Sequence, residues 1–229
     1  MTAAVTLNIA DEEIAPIEVM RRDILKALKS RALTVNEARY IYDLYYDIQQ
    51  ERIALGNKIA AMRKVGEPTL LIEHYQAEFE VLEAHCLKLL ERWVKSTLPG
   101  RWLLSLHGIG PSLAAGLLAF VRPEYCSSAG KIWRFAGLDP STSDRKYNRR
   151  FKRLCWLIGE QIAIRAKHPG NYYGKVYLKR KEYETERNER GDYADQAAEA
   201  LRKFNYAKST AAYKAYAAGK LPAARIDQR

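Results

Sequence analysis

A glycine–hydrophobe–glycine turn lies near the middle of the chain, in the sequence Leu106-His107-Gly108-Ile109-Gly110-Pro111. The apolar residues 112–119 that follow it are typical of a short helix. Glycines permit backbone angles that a Cβ would forbid, so such a turn can expose its N–H groups beside the positive end of the next helix. We therefore predict a helix-hairpin-helix that binds phosphate through Gly108, Ile109, Gly110, Pro111 and Ser112. The alternative is a tight turn inside a helical core.

A dense run of cations follows farther along the chain, with six basic residues in nine positions. A cationic first helical turn opposes the helix dipole, which favours a bound anion as the partner of these side chains. Phosphate contacts hold a duplex without reading its sequence, and the chain has no pattern typical of a base-reading helix. The predicted backbone contacts are Arg145, Lys146, Arg149, Arg150, Lys152 and Arg153, extended by Lys131 and Arg134. Tyr147 and Trp156 lie nearby in sequence and are candidates for stacking on bases, although packing in the core is the favoured interpretation for Trp156.

The positive charge of the chain is concentrated in one region. The 229 residues carry a net charge of +11, yet residues 1–100 hold 13 basic and 15 acidic side chains, whereas residues 131–190 hold 16 basic and 7 acidic ones. A local excess of this kind favours a polyanion as partner. We expect that partner to be DNA, with RNA as the alternative. No membrane partner and a cytoplasmic location are expected, because no apolar run approaches a membrane span and the N-terminus lacks the apolar core of a signal peptide.

The cysteines and histidines give no sign of a metal or cofactor site. Cys86, Cys126 and Cys155 are an odd number at wide spacing, which fits neither a disulfide framework nor a CxxC metal pair. A reducing compartment is the expected environment. Since the histidines do not cluster with the cysteines in sequence, we predict no metal and no cofactor.

Two heptad-patterned segments precede the glycine turn. The first follows a capping-box sequence, Thr34-Val35-Asn36-Glu37, and the second follows Gly66-Glu67-Pro68. The apolar stripes are Ala38, Ile41, Tyr45, Ile48, Leu55, Ile59 and Met62 in the first segment and Ile72, Tyr75, Phe79, Leu82, Cys86, Leu89 and Trp93 in the second. Two such helices joined by a short turn predict an antiparallel coiled-coil hairpin over residues 34–99. Its surface is a candidate for contact with a second copy or a partner chain, and Tyr42 and Tyr45 are predicted to pack rather than to stack on bases.

The rest of the chain completes an all-α prediction, because no strand-period alternation persists anywhere. Residues 1–33 are predicted to be an N-terminal arm and residues 100–168 a compact helix-hairpin-helix domain. Within that domain, a helix over residues 151–166 is expected to bury Leu154, Trp156, Leu157, Ile158, Ile162 and Ile164. Residues 169–229 are predicted to be a charged, alanine-rich helical tail. Residues 191–229 show no evident core, so we expect this part of the tail to be loosely held or to dock on something absent here, and whether the chain is a fragment that continues past Arg229 stays open.

The segment from Leu104 to about Arg165 resembles the C-terminal helix-hairpin-helix domain of insertion-sequence transposases of the one-ten family, also called the one-sixteen and nine-oh-two group. The residues that carry the resemblance are Gly108-Ile109-Gly110-Pro111, the helix Ala114-Ala115-x-Leu117-Leu118-Ala119, and the string Ser128-Ala129-Gly130-Lys131-Ile132-Trp133-Arg134-Phe135-Ala136-Gly137-Leu138-x-Pro140. The final Phe135-Ala136-Gly137-Leu138-x-Pro140, at its distance from the turn, is the most specific part. The resemblance covers roughly a quarter of the chain.

The resemblance implies DNA recombination by a nucleophilic serine in this domain, together with a guide RNA and an N-terminal ribonuclease-H-like domain that holds metal ions. The loop after the matching string reads Pro140-Ser141-Thr142-Ser143-Asp144, so Ser141 or Ser143 is the implied counterpart of that serine. The alternative is that both serines serve loop polarity and capping. The pair of glycines in the family's loop is absent here, and we expect the ribonuclease-H-like domain to be missing.

Three functional hypotheses remain open at this point. The first is a DNA-binding protein of a mobile genetic element that is related to these transposases. The second is a serine-dependent recombinase subunit that acts with a partner chain or guide RNA, since Arg145, Lys146 and Arg149 could supply the positive field that a serine nucleophile needs. The third is a coiled-coil scaffold whose basic face is incidental. Because part of the implied active site is missing, we expect the purified chain to cleave no DNA by itself.

Overall fold

The computed structural model describes residues 31–124, 126–139, 141 and 147–226 of the chain. These residues form helices joined by turns and loops, and no strand occurs among them. The helices are α1 (Val35–Lys64), α2 (Leu70–Ser96), α3 (Leu98–Ser105), α4 (Pro111–Phe120), α5 (Ala129–Ala136), α6 (Arg149–Ile164), α7 (Tyr172–Glu189), α8 (Ala194–Lys203), α9 (Ala211–Ala217) and α10 (Ala223–Ile226). The predicted all-α class is confirmed, whereas most of the predicted N-terminal arm lies outside the described residues.

Helices α1 and α2 form an antiparallel hairpin. The side-chain amide of Gln49 donates to Glu83 (Nε2–Oε1 2.9 Å), and farther along α1 the guanidinium of Arg63 pairs with Glu73 (Nη2–Oε1 2.8 Å). Residues later in α1 therefore contact residues earlier in α2, so the two helices run in opposite directions. A polar pair at each of two levels fixes the register of the two helices.

The predicted capping box is formed at the start of α1. Thr34 Oγ1 accepts a hydrogen bond from the Glu37 N–H at 3.2 Å, and the Glu37 carboxylate accepts one from the Thr34 N–H at 2.9 Å. Hydrogen bonds from Arg31 and from the Thr34 backbone lower the pKa of Glu37 to about 2. Because the pKa of this carboxyl is depressed in the folded chain, the interaction stabilises the helix start at neutral pH and is lost as the pH falls toward 2.

The hairpin buries its apolar stripes unevenly. Tyr42, Tyr45 and Trp93 are buried, as predicted, whereas Tyr75 and Leu82 of the α2 stripe are 53% and 41% exposed. Helix α4 packs against both α1 and α2, and the ring centroid of its Phe120 lies 5.8 Å from that of Tyr42. The two helices therefore cover only part of each other's predicted stripes, although Ile59 of α1 is buried.

Helix α4 belongs to a first compact unit, which comprises the described residues up to Leu104 and those from Gly110 to Phe151. Nearly all of its residues are apolar and most are buried, as expected for a helix surrounded by others. At the start of α6, the Phe151 ring lies 5.8 Å from Phe120 and 5.2 Å from Phe135. The boundary of this unit differs from the predicted one at residue 99, because the hairpin shares one core with α4. A heptad pattern describes the contact between two helices, so it gives no sign of a third.

Residues 105–109 and the described residues from Lys152 onward form a second compact unit. A buried core within this unit consists of Tyr193, Ala197, Tyr216, Leu221 and Ile226. The Asn188 side chain accepts from the Leu221 N–H (2.7 Å) and donates to the Leu221 carbonyl (2.9 Å), which clips α7 to the segment before α10. The expectation that residues 191–229 contain no core is therefore wrong for the described part of that segment. Tyr193 and Tyr216 are the large side chains of this core, and the alanine-rich composition of the segment gave no sign of it.

Candidate nucleic-acid interface

The two glycines of the turn between α3 and α4 differ in what the fold requires of them. Gly108 has a φ of +94°, and a Cβ there would lie 3.4 Å from the Gln161 carbonyl oxygen, so both backbone angle and close packing favour glycine. Gly110 has a φ of −89°, which any residue adopts, and a Cβ there would meet nothing within 4 Å. The fold thus explains Gly108 and leaves Gly110 without a structural reason.

The N-terminus of α4 carries no side-chain cap. Gly110 is its N-cap and supplies no side-chain hydrogen bond, and the first turn contains no acidic residue. Pro111 has no N–H, so the donors of the first turn are the N–H groups of Ser112 and Leu113, which have no acceptor within the described residues. Uncapped N–H groups at the positive end of a helix dipole form a site for an anion.

Helix α6 begins with cations behind a neutral cap. The side chain of Asn148 accepts from the Phe151 N–H at 2.9 Å, and the first turn contains no acidic residue. Arg149 is exposed and has no ion-pair partner within the part of the chain that the structure describes. Arg150 is also exposed, but it pairs with Asp43 of α1. The two neighbouring arginines therefore differ, because one already has a carboxylate partner.

The other predicted contact residues are divided between the two units. The first unit holds Gly110, Pro111, Ser112, Lys131, Arg134, Arg149 and Arg150, and the second holds Gly108, Ile109, Lys152 and Arg153. Lys131 donates to the Ser127 hydroxyl at 3.0 Å, and Arg134 donates to Asp139 at 3.1 Å. Lys152 is half-buried and Arg153 is exposed. Exposed cations are thus present in both units.

Trp156 and Ile164 correct the predicted apolar face of α6. Both were expected in the core, yet they are 61% and 68% exposed, while Leu154 is fully buried. Successive residues turn by about 100° around a helix, so a side chain two positions after Leu154 lies on the opposite side. Trp156 instead follows Lys152 and Arg153 by one turn and shares their face. Sequence reasoning therefore missed an exposed indole beside two cations.

Ser141, one of the two candidate nucleophiles, lies in a local turn. Its hydroxyl donates to Asp139 Oδ1 at 2.6 Å, and its N–H donates to the same oxygen at 3.0 Å, a pattern typical of an Asx-turn. The two bonds from Ser141 and the hydrogen bond from Arg134 lower the pKa of Asp139 below its usual value. A carboxylate of low pKa is a weak general base, so this geometry fits a loop cap better than an activated nucleophile.

Both ends of the loop that carries Ser141 are held against α5. Gly137 ends α5 at a φ of +65°, with its N–H bonded to the Arg134 carbonyl. A Cβ at Gly137 would lie 2.5 Å from the Tyr147 ring, so glycine is required here for packing as well as for backbone angle. Beyond the loop, the Asn148 N–H donates to the Phe135 carbonyl at 2.9 Å. These contacts fix where the chain leaves α5 and where it enters α6.

Another pair of basic side chains lies in the second unit and was not predicted. The rings of His107 and His168 stack on each other, although the two residues are far apart in sequence. Neither composition nor spacing carries a signal for such a contact, because only the tertiary structure brings the two segments together.

Some predicted site residues, namely Ser143, Arg145 and Lys146, lie outside the described residues. Within the described part of the chain, no group of three or more His, Cys, Asp or Glu side chains is placed to hold a metal ion. None of the described helices has both the length and the apolar character needed to cross a membrane. Comparisons of the chain with family models, with curated proteins and with solved structures found no match.

Proposed function

We propose that the chain is a DNA-binding protein of a mobile genetic element, related to the transposases that it resembles. It holds the DNA backbone through the glycine turn and through the cations of residues 145–153. Contacts to phosphates carry no sequence information, so binding tolerates many sequences, and any specificity comes from a partner chain or a guide.

The observation that carries the proposal is the uncapped N-terminus of α4. Neither the backbone angle nor packing requires glycine at position 110, and Asn, Asp or Ser would cap the helix better. A position without a side chain lets a phosphate approach the N–H groups of Ser112 and Leu113, where the helix dipole favours negative charge.

The start of α6 supports the same proposal. Its first turn contains Arg149, Arg150 and Lys152 and no acidic residue, although a cationic first turn opposes the helix dipole. Arg149 is exposed and has no carboxylate partner among the described residues. A DNA phosphate would supply the negative charge that the fold does not.

Replacing Gly110 by Asp and by Asn tests this function with a matched pair. Both side chains suit the N-cap, so each should raise the free energy of unfolding by a few tenths of a kcal/mol. The Asp carboxylate would occupy and repel the phosphate position, so Gly110→Asp should weaken binding of a short fluorescent duplex about tenfold or more, or about 1.4 kcal/mol. Gly110→Asn, which lacks the charge, should weaken it only a few fold. Fluorescence anisotropy and urea unfolding give the two quantities.

The salt dependence of binding provides a second readout. If about five phosphates are neutralised, the logarithm of the association constant should fall with the logarithm of salt concentration with a slope of roughly −4 to −5, equally for unrelated duplexes. Gly108→Ala is the control for structural damage, because its positive φ makes any side chain unfavourable. Unchanged affinity in Gly110→Asp, or salt-independent binding, would contradict the proposal.

We do not extend the proposal to strand cleavage. Ser141 donates its hydroxyl proton to a carboxylate whose pKa is lowered, and that carboxylate is a poor base at neutral pH. The function supported best is therefore binding.

A further inference from the structure

The stacked histidines stand directly beside the glycine turn. The ring centroids of His107 and His168 are 3.8 Å apart, and the ring planes differ by 10°. His107 precedes Gly108 in the chain, and His168 lies in the turn after α6, where its Nδ1 accepts the Gly170 N–H at 3.2 Å. The neutral form of His168 therefore carries its proton on Nε2, which leaves that N–H as a donor.

The charged groups that act on His107 are all basic. Burial, the His168 ring and Arg165 lower the pKa of His107 below its ordinary value, in that order of size. The guanidinium of Arg165 donates to the neutral side chain of Gln161, and no carboxylate is among the groups that shift the pKa of His107. Gln161 also packs beneath the turn, since its carbonyl oxygen lies against Gly108. Lys167, which directly precedes His168 in the chain, is exposed and cationic.

We propose that His107, His168 and Arg165 form a binding site for one backbone phosphate of the nucleic acid, and that occupation of this site is coupled to uptake of a proton by the histidine pair. The inference deepens the proposed function and rests on it. Two imidazolium rings in face-to-face contact repel each other, so the empty site disfavours protonation of both rings at once. A phosphate beside the pair supplies the missing negative charge, and it accepts hydrogen bonds from the protonated rings and from Arg165.

The coupling determines how pH changes two quantities, the stability of the unliganded second unit and the affinity for phosphate. Because the free chain disfavours charge on His107, lowering the pH through about 6.5 should destabilise the unliganded second unit, since the unfolded chain binds more protons there. Phosphate binding should change in the opposite direction and strengthen as the pH falls. Each linked proton makes the association constant rise by up to about tenfold per pH unit.

The experiment measures anisotropy of a short fluorescent duplex from pH 8 to pH 5.5 at constant ionic strength. For the unmodified chain we expect affinity to rise about tenfold over this range. His107→Gln and His168→Gln should each remove most of that rise. His74→Gln is the matched control, because His74 is an exposed histidine of α2 in the first unit, and it should keep the full pH dependence.

A second measurement separates failure of this inference from failure of the proposed function. Imidazole proton resonances of the unmodified chain, titrated with inorganic phosphate and with duplex DNA, should shift for both rings, and the pKa of His107 should rise on binding. DNA binding with no pH dependence and unmoved histidine resonances would overturn the inference and leave the proposed function standing. No DNA binding at any pH would overturn the proposed function, and unmoved resonances in phosphate would then overturn the inference as well.

Discussion

Cations of the α1–α2 hairpin meet carboxylates of the facing helix, whereas Arg149 at the start of α6 meets none in the part of the chain that the structure describes. Arg52 Nε lies 2.5 Å from Glu83, and Arg63 lies 2.8 Å from Glu73. In the first turn of α6, Arg149 has no such partner within the described residues. The contrast separates charges that hold helices together from charges that are available to a ligand.

Arg150 and Asp43 lie at the boundary between these two uses of charge. Their ion pair links α6 to α1 within the first unit, with the arginine side chain 66% exposed and the aspartate 19%. Exposed ion pairs contribute little to stability, so the guanidinium can exchange its carboxylate for a phosphate at small cost. Arg150 is therefore intermediate between the paired cations of the hairpin and Arg149. Three substitutions test this difference between the two regions.

The largest effect is expected from Glu83→Ala in the hairpin. Glu83 accepts from both Gln49 and Arg52, and its side chain is only 15% exposed. Removing it leaves the partly buried Arg52 guanidinium without this carboxylate, and Gln49 keeps only its hydrogen bond to the Tyr45 hydroxyl (3.3 Å), which should lower the free energy of unfolding by about 2 kcal/mol. Urea unfolding measures this, and DNA affinity should not change.

Glu51→Ala is the control for that substitution, because Glu51 is exposed on α1 and its removal should change stability by less than about 0.5 kcal/mol. A Glu83→Ala chain that is as stable as Glu51→Ala, or that binds DNA differently, would break the distinction between the two regions.

A smaller effect is expected from Arg149→Glu, and it should change DNA affinity and not lower stability. Loss of one phosphate contact and addition of a repelling charge should weaken duplex binding about tenfold and reduce the salt slope by about 1. Stability should stay constant or rise by about 0.3–1 kcal/mol, because an acidic residue suits the first turn of a helix. Lys58→Glu makes the same charge change at an exposed position of α1. Equal loss of binding in both variants would mean that only net charge matters.

The smallest effect is expected from Asp43→Asn. The substitution releases the Arg150 guanidinium from its carboxylate, so DNA affinity should rise by about two- to threefold, while stability falls by less than about 1 kcal/mol. Anisotropy and urea unfolding on the same preparation measure the two changes. If affinity instead fell, Arg150 would be serving the fold and not the ligand.

Local sequence signals account for the features that depend on neighbouring residues. The capping box at Thr34 and Glu37, the two long helices, the break near Gly66 and the left-handed Gly137 that ends α5 all depend on local propensity or local hydrogen bonds, which a short window of sequence contains. The all-α class follows from the same local signals. The cationic run is likewise visible in composition alone.

Which of these features come into contact depends on how distant segments pack together. The covering of the hairpin by α4, the placement of Phe151 beside Phe120, the exposure of Trp156 and the core around Tyr193 depend on contacts between distant segments, and no periodicity encodes those contacts. The same holds for charge. Arg149 and Arg150 are indistinguishable in the sequence, and only the packing of α1 against α6 places the Asp43 carboxylate beside Arg150. Packing is a property of pairs of segments, so the partner of a side chain is settled only when the whole chain has folded.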